Sequence, residues 1–195
     1  MKKIIIFLIF LLFQFSNTLA DNPDEIKRIV VGNKNAKITI ITYESLTCNH
    51  CADFHINVYP DLKRDYIDTG LAKIEFRHFP LDIAAFNASK ISQCKNDGDT
   101  KILDSLYLNQ QKWVKGNTVD EVNKNLKIFL KSEGFEIDFN KCTTDKKIED
   151  FVLNDRIEGV KNFNVNATPT IIINDKKFEK SLNYKNLKKF LEKLI

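Results

Sequence analysis

The chain has 195 residues, of which 43% are hydrophobic and 29% are charged, and its formal net charge is +4. This apolar content excludes an intrinsically disordered chain, and six glycines with four prolines exclude collagen-like and Pro/Gly-rich classes. The net charge is too small to indicate a nucleic-acid partner, and the length suits one domain of ordinary size or one domain that carries an insertion.

Residues 1–20 have the three-part pattern of a secretory signal peptide. Lys2 and Lys3 form a basic head, apolar residues run from Ile4 to Phe13, and small residues lead to Ala20, after which cleavage is expected. An uncleaved anchor and a buried core helix are the alternatives, although the apolar run is shorter than the roughly 20 residues that span a bilayer. We therefore expect an exported protein in the bacterial periplasm, where disulfides persist.

Strand and helix patterns alternate along the rest of the chain. Runs of β-branched and alternating residues predict strands over 26–31, 37–43, 72–79, 170–173 and 177–179. Apolar residues at helical spacing predict helices over 52–66, 83–95, 100–114, 119–133, 139–143, 146–163 and 184–194. Pro60 is expected to kink the first of these helices.

This order of elements predicts an α/β fold. A βαβ unit and a ββα unit are separated by a helical block that is too long to be a loop. We interpret residues 82–163 as an inserted helical domain and residues 21–81 and 164–195 as the α/β domain that it interrupts.

A Cys-x-x-Cys motif, Cys48-Asn49-His50-Cys51, follows the second strand and opens the first helix. Unpaired N–H groups and the positive end of the helix dipole stabilise a thiolate at that position, and a thiolate is both the reactive form and a good leaving group. His50 can add positive charge and a hydrogen bond. The motif predicts a redox-active pair in which Cys48 is the exposed attacking sulfur and Cys51 the buried resolving sulfur.

Two other interpretations of the cysteine pair are weaker. An inert disulfide across two residues closes a very small loop and would constrain little of the unfolded chain. A zinc site would need about two more ligands, for which His50 and His55 are the nearest candidates. We expect neither a metal nor a bound organic cofactor.

Four runs of sequence resemble the DsbA-like thiol:disulfide oxidoreductases of the thioredoxin superfamily. They are residues 43–55, which include the Cys-x-x-Cys motif, and residues 66–70, 76–82 and 167–170. The resemblance implies a thioredoxin fold, in which helices flank a central mixed sheet, and an enzyme that introduces disulfide bonds into exported proteins. It also implies reduced or unfolded exported proteins as substrates and a DsbB-like membrane quinone reductase that reoxidises the enzyme. A monomer is expected.

The same resemblance assigns a substrate-binding role to Thr168 and Pro169. In thioredoxin-like proteins the proline of this turn is cis and packs beside the cysteine pair. A cis bond there turns the backbone of Thr168 outward, where its N–H and C=O can pair with an extended substrate by strand addition.

The sequence departs from the family pattern at two positions that bear on redox tuning. Asn49 stands where proline is usual after the first cysteine, which affects the redox potential. Many members carry an acidic residue six positions before that cysteine, and here it is Thr42. Glu44 lies two residues further on, one residue past the predicted strand. If the strand runs that far, Glu44 lies on the same face as Thr42 and is a candidate proton relay for Cys51. A solvated loop residue is the alternative interpretation of Glu44.

The remaining cysteines, Cys94 and Cys142, lie in the helical block. In an exported protein two such residues are more often bonded than free, so a structural disulfide is expected, with buried free thiols as the alternative. An isomerase, a reductase and a non-catalytic module that binds metal or proteins are the competing functions for the whole chain.

Overall fold

The computed structural model describes residues 25–195, so the predicted signal peptide 1–20 lies outside the described residues. A five-stranded sheet has the order β1-β3-β2-β4-β5. Its strands are β1 Ile29–Gly32, β2 Ile38–Glu44, β3 Ala72–His78, β4 Thr170–Ile173 and β5 Lys176–Lys177. Strands β2 and β3 are parallel and the other neighbours are antiparallel. The α/β class and the central mixed sheet are confirmed.

Helices lie on both faces of this sheet and in a block between β3 and β4. Those outside the block are α1 Asn49–Asn57, α2 Tyr59–Leu62 and, at the C-terminus, α9 Tyr184–Leu191, and a π-helical segment, Lys63–Ile67, follows α2. Those of the block are α3 Ile83–Gln93, α4 Lys101–Leu108, α5 Gln110–Trp113, α6 Val119–Ser132, α7 Phe139–Thr144 and α8 Lys146–Phe163. The block matches the predicted helical insertion in content, and its domain limits stay a prediction. Within residues 25–195 no helix has the length and apolar character that crossing a membrane requires.

Two predicted helices are interrupted in the structure. The run over 52–66 breaks at Val58, so Pro60 falls in the first turn of α2, where its missing N–H costs no helical hydrogen bond. The predicted helix 100–114 divides at Asn109, whose φ of −119° and ψ of 24° lie outside the helical region. Periodicity persists across both breaks, which is why the sequence pattern alone does not show them.

Alternation along β2 sends its side chains to two separate cores. Ile38 and Ile40 join the main core, which also contains Cys51 and Phe54 of α1. Tyr43 points the other way, into a smaller cluster with Ile41, Phe79, Val165 and Ile172. Thr42 and Glu44 share the parity of Ile38 and Ile40, so the end of β2 directs them toward α1.

Helix α8 covers the opposite face of the sheet at very short range. A Cβ atom on Gly159 would lie 2.7 Å from the ring of Tyr43, so only glycine allows this approach. Asp155 of the same helix is fully buried, accepts a hydrogen bond from the backbone N–H of His78 and pairs with Arg28. These contacts fix the end of β3, and with it the neighbouring end of β2 that carries the cysteine motif.

Candidate active site

The cysteine motif forms the first turn of α1. Cys48 is the N-cap residue, and its carbonyl oxygen accepts hydrogen bonds from the N–H groups of Cys51 at 3.1 Å and Ala52 at 3.2 Å. Asn49 and His50 follow it as exposed residues. Both cysteines are free thiols, and Cys48 is partly exposed whereas Cys51 has no exposed surface. The Cys48 sulfur is therefore accessible to a reacting partner, whereas the Cys51 sulfur is shielded from solvent.

The two thiols differ in acidity in opposite directions. Hydrogen bonds from the Cys51 thiol and from the N–H groups of Cys51 and His50 lower the pKa of Cys48 to about 5, although burial opposes this. Burial, together with the hydrogen bond to Cys48 and the charge of Glu44, raises the pKa of Cys51 far above its ordinary value. At neutral pH the pair therefore holds one thiolate and one thiol.

Thr168 and Pro169 lie directly against this pair. The peptide bond between them is cis, and the carbonyl oxygen of Thr168 accepts a hydrogen bond from the Cys48 sulfur at 3.4 Å. With His50 they line a depression of about 270 Å³ beside α1. The hydroxyl of Thr168 is buried and has no hydrogen-bond partner in the part of the chain that the structure describes. The arrangement brings the Thr168–Pro169 turn next to the Cys48 sulfur.

Glu44 lies at the end of β2 and only 3% of its surface is exposed, so the interpretation as a solvated loop residue is wrong. The strand extends one residue further than the sequence predicts, and this turns the carboxylate toward α1. Its Oε2 atom is 2.8 Å from Nε2 of His55, and its Oε1 atom has no hydrogen-bond partner among residues 25–195. The result is a buried acid–imidazole pair close to Cys51.

His55 is therefore engaged with a carboxylate rather than free to bind a metal with the cysteines. Its ring also stacks on Tyr107, with ring centroids 4.0 Å apart and planes at 15°. Over residues 25–195 no group of three or more His, Cys, Asp or Glu side chains is arranged to hold a metal ion.

Gln110, a residue that sequence reasoning missed, supports the cysteine turn from the helical block. Its Nε2 atom donates hydrogen bonds to the carbonyl oxygens of Leu46 at 2.8 Å and Cys48 at 3.0 Å. Both bonds cross more than 60 residues of sequence, so no local pattern indicates them. The only sequence signal for this role is a glutamine on the buried side of a predicted amphipathic helix, and that signal is weak.

The other two cysteines are joined away from this turn. Cys94, at the end of α3, and Cys142, on α7, form a disulfide with a Cα–Cα distance of 5.4 Å and a sequence separation of 48 residues. The bond links two helices of the block between β3 and β4.

The sequence and the fold of this chain are similar to those of known proteins. A family model described as Thioredoxin matches residues 24–193. The crystal structure of Wolbachia pipientis alpha-DsbA1 superposes with a TM-score of 0.76 and 31% identity, covering 86% of this chain and 90% of that one. Disulfide bond formation protein D of Bacillus subtilis is 24% identical over 192 residues, which is 92% of this chain and 82% of that protein.

Proteins from Rickettsia are similar over shorter stretches. A putative protein-disulfide oxidoreductase of Rickettsia bellii is 30% identical over 148 residues, which is 75% of this chain and 56% of that protein. The corresponding protein of Rickettsia conorii is 32% identical over 96 residues, covering 48% of this chain and 35% of that protein. The chain thus spans between a third and just over half of the length of these relatives.

Proposed function

Because the chain belongs to the thioredoxin family, and within it to the DsbA-like members, we propose that it is a periplasmic thiol:disulfide oxidoreductase that introduces disulfide bonds into exported proteins. The observation that carries this proposal is the opposed acidity of the two sulfurs. A partly exposed Cys48 with a pKa of about 5 is a stable leaving thiolate, which makes the disulfide it forms with Cys51 easy to reduce and therefore oxidising.

The reaction proceeds by two thiol–disulfide exchanges. A substrate thiolate attacks the Cys48 sulfur of the Cys48–Cys51 disulfide, the S–S bond breaks, and Cys51 leaves and takes up a proton. A second substrate thiolate then attacks the substrate sulfur of this mixed disulfide and expels Cys48 as a thiolate. The substrate loses two electrons and two protons, of which one proton remains on Cys51 and the other goes to solvent.

Thr168 and Pro169 hold the substrate during the exchange. Their backbone groups offer strand pairing to an extended chain, which recognises main chain rather than side chains and so suits many reduced or unfolded exported proteins. The Thr168 carbonyl oxygen lies 3.4 Å from the Cys48 sulfur, so the substrate is bound beside the sulfur with which its thiolate reacts.

The remaining residues of the motif adjust this chemistry. We assign redox tuning to Asn49 and His50, which occupy the exposed first turn of α1, and proton exchange with Cys51 to Glu44. The Cys94–Cys142 bond is a structural disulfide in this proposal.

Reoxidation completes the cycle. A DsbB-like membrane quinone reductase would accept two electrons from Cys48 and Cys51 and restore their disulfide. The protein would reach the periplasm through the leader at residues 1–20, act as a monomer and need neither a metal nor a bound organic cofactor.

The test is to trap the intermediate. Cys51→Ala removes the resolving sulfur, so exported proteins should accumulate as mixed disulfides on Cys48 that are visible on non-reducing gels and released by reductant. Cys48→Ala is the matched control and should trap none. The proposal fails if no adducts form in the periplasmic fraction, or if the oxidised protein does not promote oxidative refolding of a reduced substrate.

A further inference from the structure

The buried Glu44–His55 pair beside Cys51 has a connection to the protein surface. His55 is 2% exposed, and its Nε2 atom lies 2.8 Å from Oε2 of Glu44. Its other ring nitrogen, Nδ1, is 3.9 Å from Oδ1 of Asp104, a residue of α4 whose side chain is 33% exposed. One imidazole therefore faces a buried carboxylate on one side and a solvent-accessible carboxylate on the other.

The ring of His55 is fixed in this orientation by its neighbours. It stacks on Tyr107 and also packs against Phe54, Tyr59 and Phe76, with ring centroids between 4.0 and 5.6 Å away. Rotation of a ring held this way would disturb several side chains, so each nitrogen keeps its own carboxylate partner.

We propose that His55 and Asp104 form a proton path that links Cys51, through Glu44, with solvent. The proposal rests on the oxidoreductase function above, because that function requires one proton to leave Cys51 in each reoxidation and one to return in each substrate oxidation. Cys51 itself has no exposed surface, so its proton needs a route.

The steps balance without leaving a net charge in the core. The proposed path starts from the ionic form of the Glu44–His55 pair, with Cys51 as a thiol and a proton on each ring nitrogen of His55. The thiol proton passes to the unpartnered Oε1 of Glu44, and His55 gives its Nδ1 proton to Asp104. The buried pair changes from ionic to neutral and remains uncharged overall, which avoids the cost of an isolated buried ion.

Substrate oxidation runs the same steps backward. Cys51 leaves as a thiolate and takes the proton of Glu44, while His55 recovers a proton at Nδ1 from Asp104. Because each cycle uses the path once in each direction, no ring flip is needed to reset it. The 3.9 Å gap is longer than a hydrogen bond, and a rotation of the accessible Asp104 carboxylate or one bridging water closes it.

The other titratable groups near the pair and Asp104 are Tyr59, Tyr107, His78, Asp68 and Asp99. Burial raises the pKa of both phenols and lowers the pKa of His78 to about 4, so these three stay neutral at neutral pH. Burial also raises the pKa of Asp104, which favours its acceptance of a proton.

The experiment separates the two steps of oxidation by excess oxidised glutathione. Stopped-flow mixing with the reduced protein gives a second-order attack by Cys48, followed by a first-order closure in which Cys51 must lose its proton. Asp104→Asn should slow the closure about tenfold, a modest share of what proton transfer contributes to catalysis, and should change its solvent deuterium isotope effect. The second-order rate of Cys48 should not change.

Two further variants control for charge and for packing. Asp99→Asn removes a carboxylate that lies near Asp104 without touching the path, and it should leave the closure rate within about twofold of wild type. His55→Gln keeps a donor for Glu44 but has no second nitrogen, so it should slow the closure as Asp104→Asn does. If Asp99→Asn slows the closure as much as Asp104→Asn, the effect is general electrostatics and the proton path is wrong.

Glu44→Gln distinguishes the two levels of the proposal. If it slows the closure and Asp104→Asn does not, the outer half of the path is wrong while Glu44 keeps its role. If neither variant slows the closure, both the proton path and the proposed role of Glu44 are wrong. Mixed disulfides on the Cys51→Ala protein would still support the oxidoreductase function in that case.

Discussion

Cys48 and Cys51 are separated by two residues, yet their environments push their acidities apart. Cys48 sits at the end of a helix, where N–H groups and the neighbouring thiol can donate to its sulfur. Cys51 lies one turn inside, where burial disfavours charge and the Glu44 carboxylate repels it. The geometry of a single helical turn therefore supports the proposed roles of Cys48 as the attacking sulfur and Cys51 as the resolving sulfur.

This difference fixes how many protons accompany the two electrons. Between about pH 5 and pH 9 the reduced pair holds a thiolate at Cys48 and a thiol at Cys51, so its formation takes up one proton. The potential should then fall by about 30 mV per pH unit rather than about 59 mV. Equilibration with glutathione over this range measures the slope, and the steeper value would show that Cys48 is protonated.

Alkylation gives an independent check on the same assignment. The rate at which iodoacetamide modifies the reduced protein should rise through a pKa of about 5. The Cys48→Ala variant should not react over that range, because Cys51 is buried and protonated.

The sequence predicts this pair well because the information is local: a strand, a cysteine motif and a helix follow one another. It predicts the surroundings less well because they are assembled from distant segments. Glu44 and His55 are 11 residues apart on different elements, and Asp104 comes from the helical block. Nothing in the local pattern distinguishes Asp104 from the many exposed aspartates of the chain.

At the level of elements, short helix α5 couples the helical block to the cysteine turn. The break at Asn109 allows Gln110 to point its amide at two carbonyl groups of the turn, those of Leu46 and Cys48. A continuous helix over 100–114 is what periodicity predicts, and the break depends on these tertiary contacts rather than on a glycine or proline.

Removing this amide should loosen the turn. Gln110→Ala removes the side-chain donor to the Leu46 carbonyl and one of three donors to the Cys48 carbonyl, which keeps the N–H groups of Cys51 and Ala52. The change should lower the free energy of unfolding by about 2 kcal/mol and raise the pKa of Cys48. Gln111→Ala, next to it on the exposed face, is the matched control and should change neither. Urea unfolding and thiolate titration measure the two effects, and equal behaviour of the variants would contradict the coupling.

The strands and most helices were predictable because apolar periodicity survives in the sequence, as in α8, whose bounds match the prediction. Strand ends were less certain, since β2 gains Glu44 only through pairing with His78 of β3. The short strand β5 was predicted at 177–179 and lies at Lys176–Lys177, because its position depends on pairing with β4.

In the whole molecule the state of the cysteine pair is linked to folding. The pKa of Cys48 falls from 9.0 to about 5 on folding of the reduced chain. Between these values the unfolded thiol binds a proton that the folded protein does not, so the stability of the reduced protein should rise with pH. This contribution is lost as the pH falls through about 5.

The linkage can be measured by unfolding the reduced protein in urea at several pH values. Reduced wild type should gain stability relative to reduced Cys48→Ala as the pH rises between about 5 and 9. Both proteins should be treated with the same reductant, so that the Cys94–Cys142 bond is in the same state in each. Parallel pH curves would show that the thiolate is not stabilised by the fold.

The burial of Cys51 directly behind a half-accessible Cys48 also bears on damage by peroxides. A hydroperoxide can reach only the outer sulfur, where it forms a sulfenic acid. The inner sulfur is already in place to condense with that sulfenic acid, releasing water and giving a disulfide before further oxygen is added. An oxidant that inactivates a solitary reactive cysteine would thus convert this protein into the Cys48–Cys51 disulfide form on which the proposed function depends.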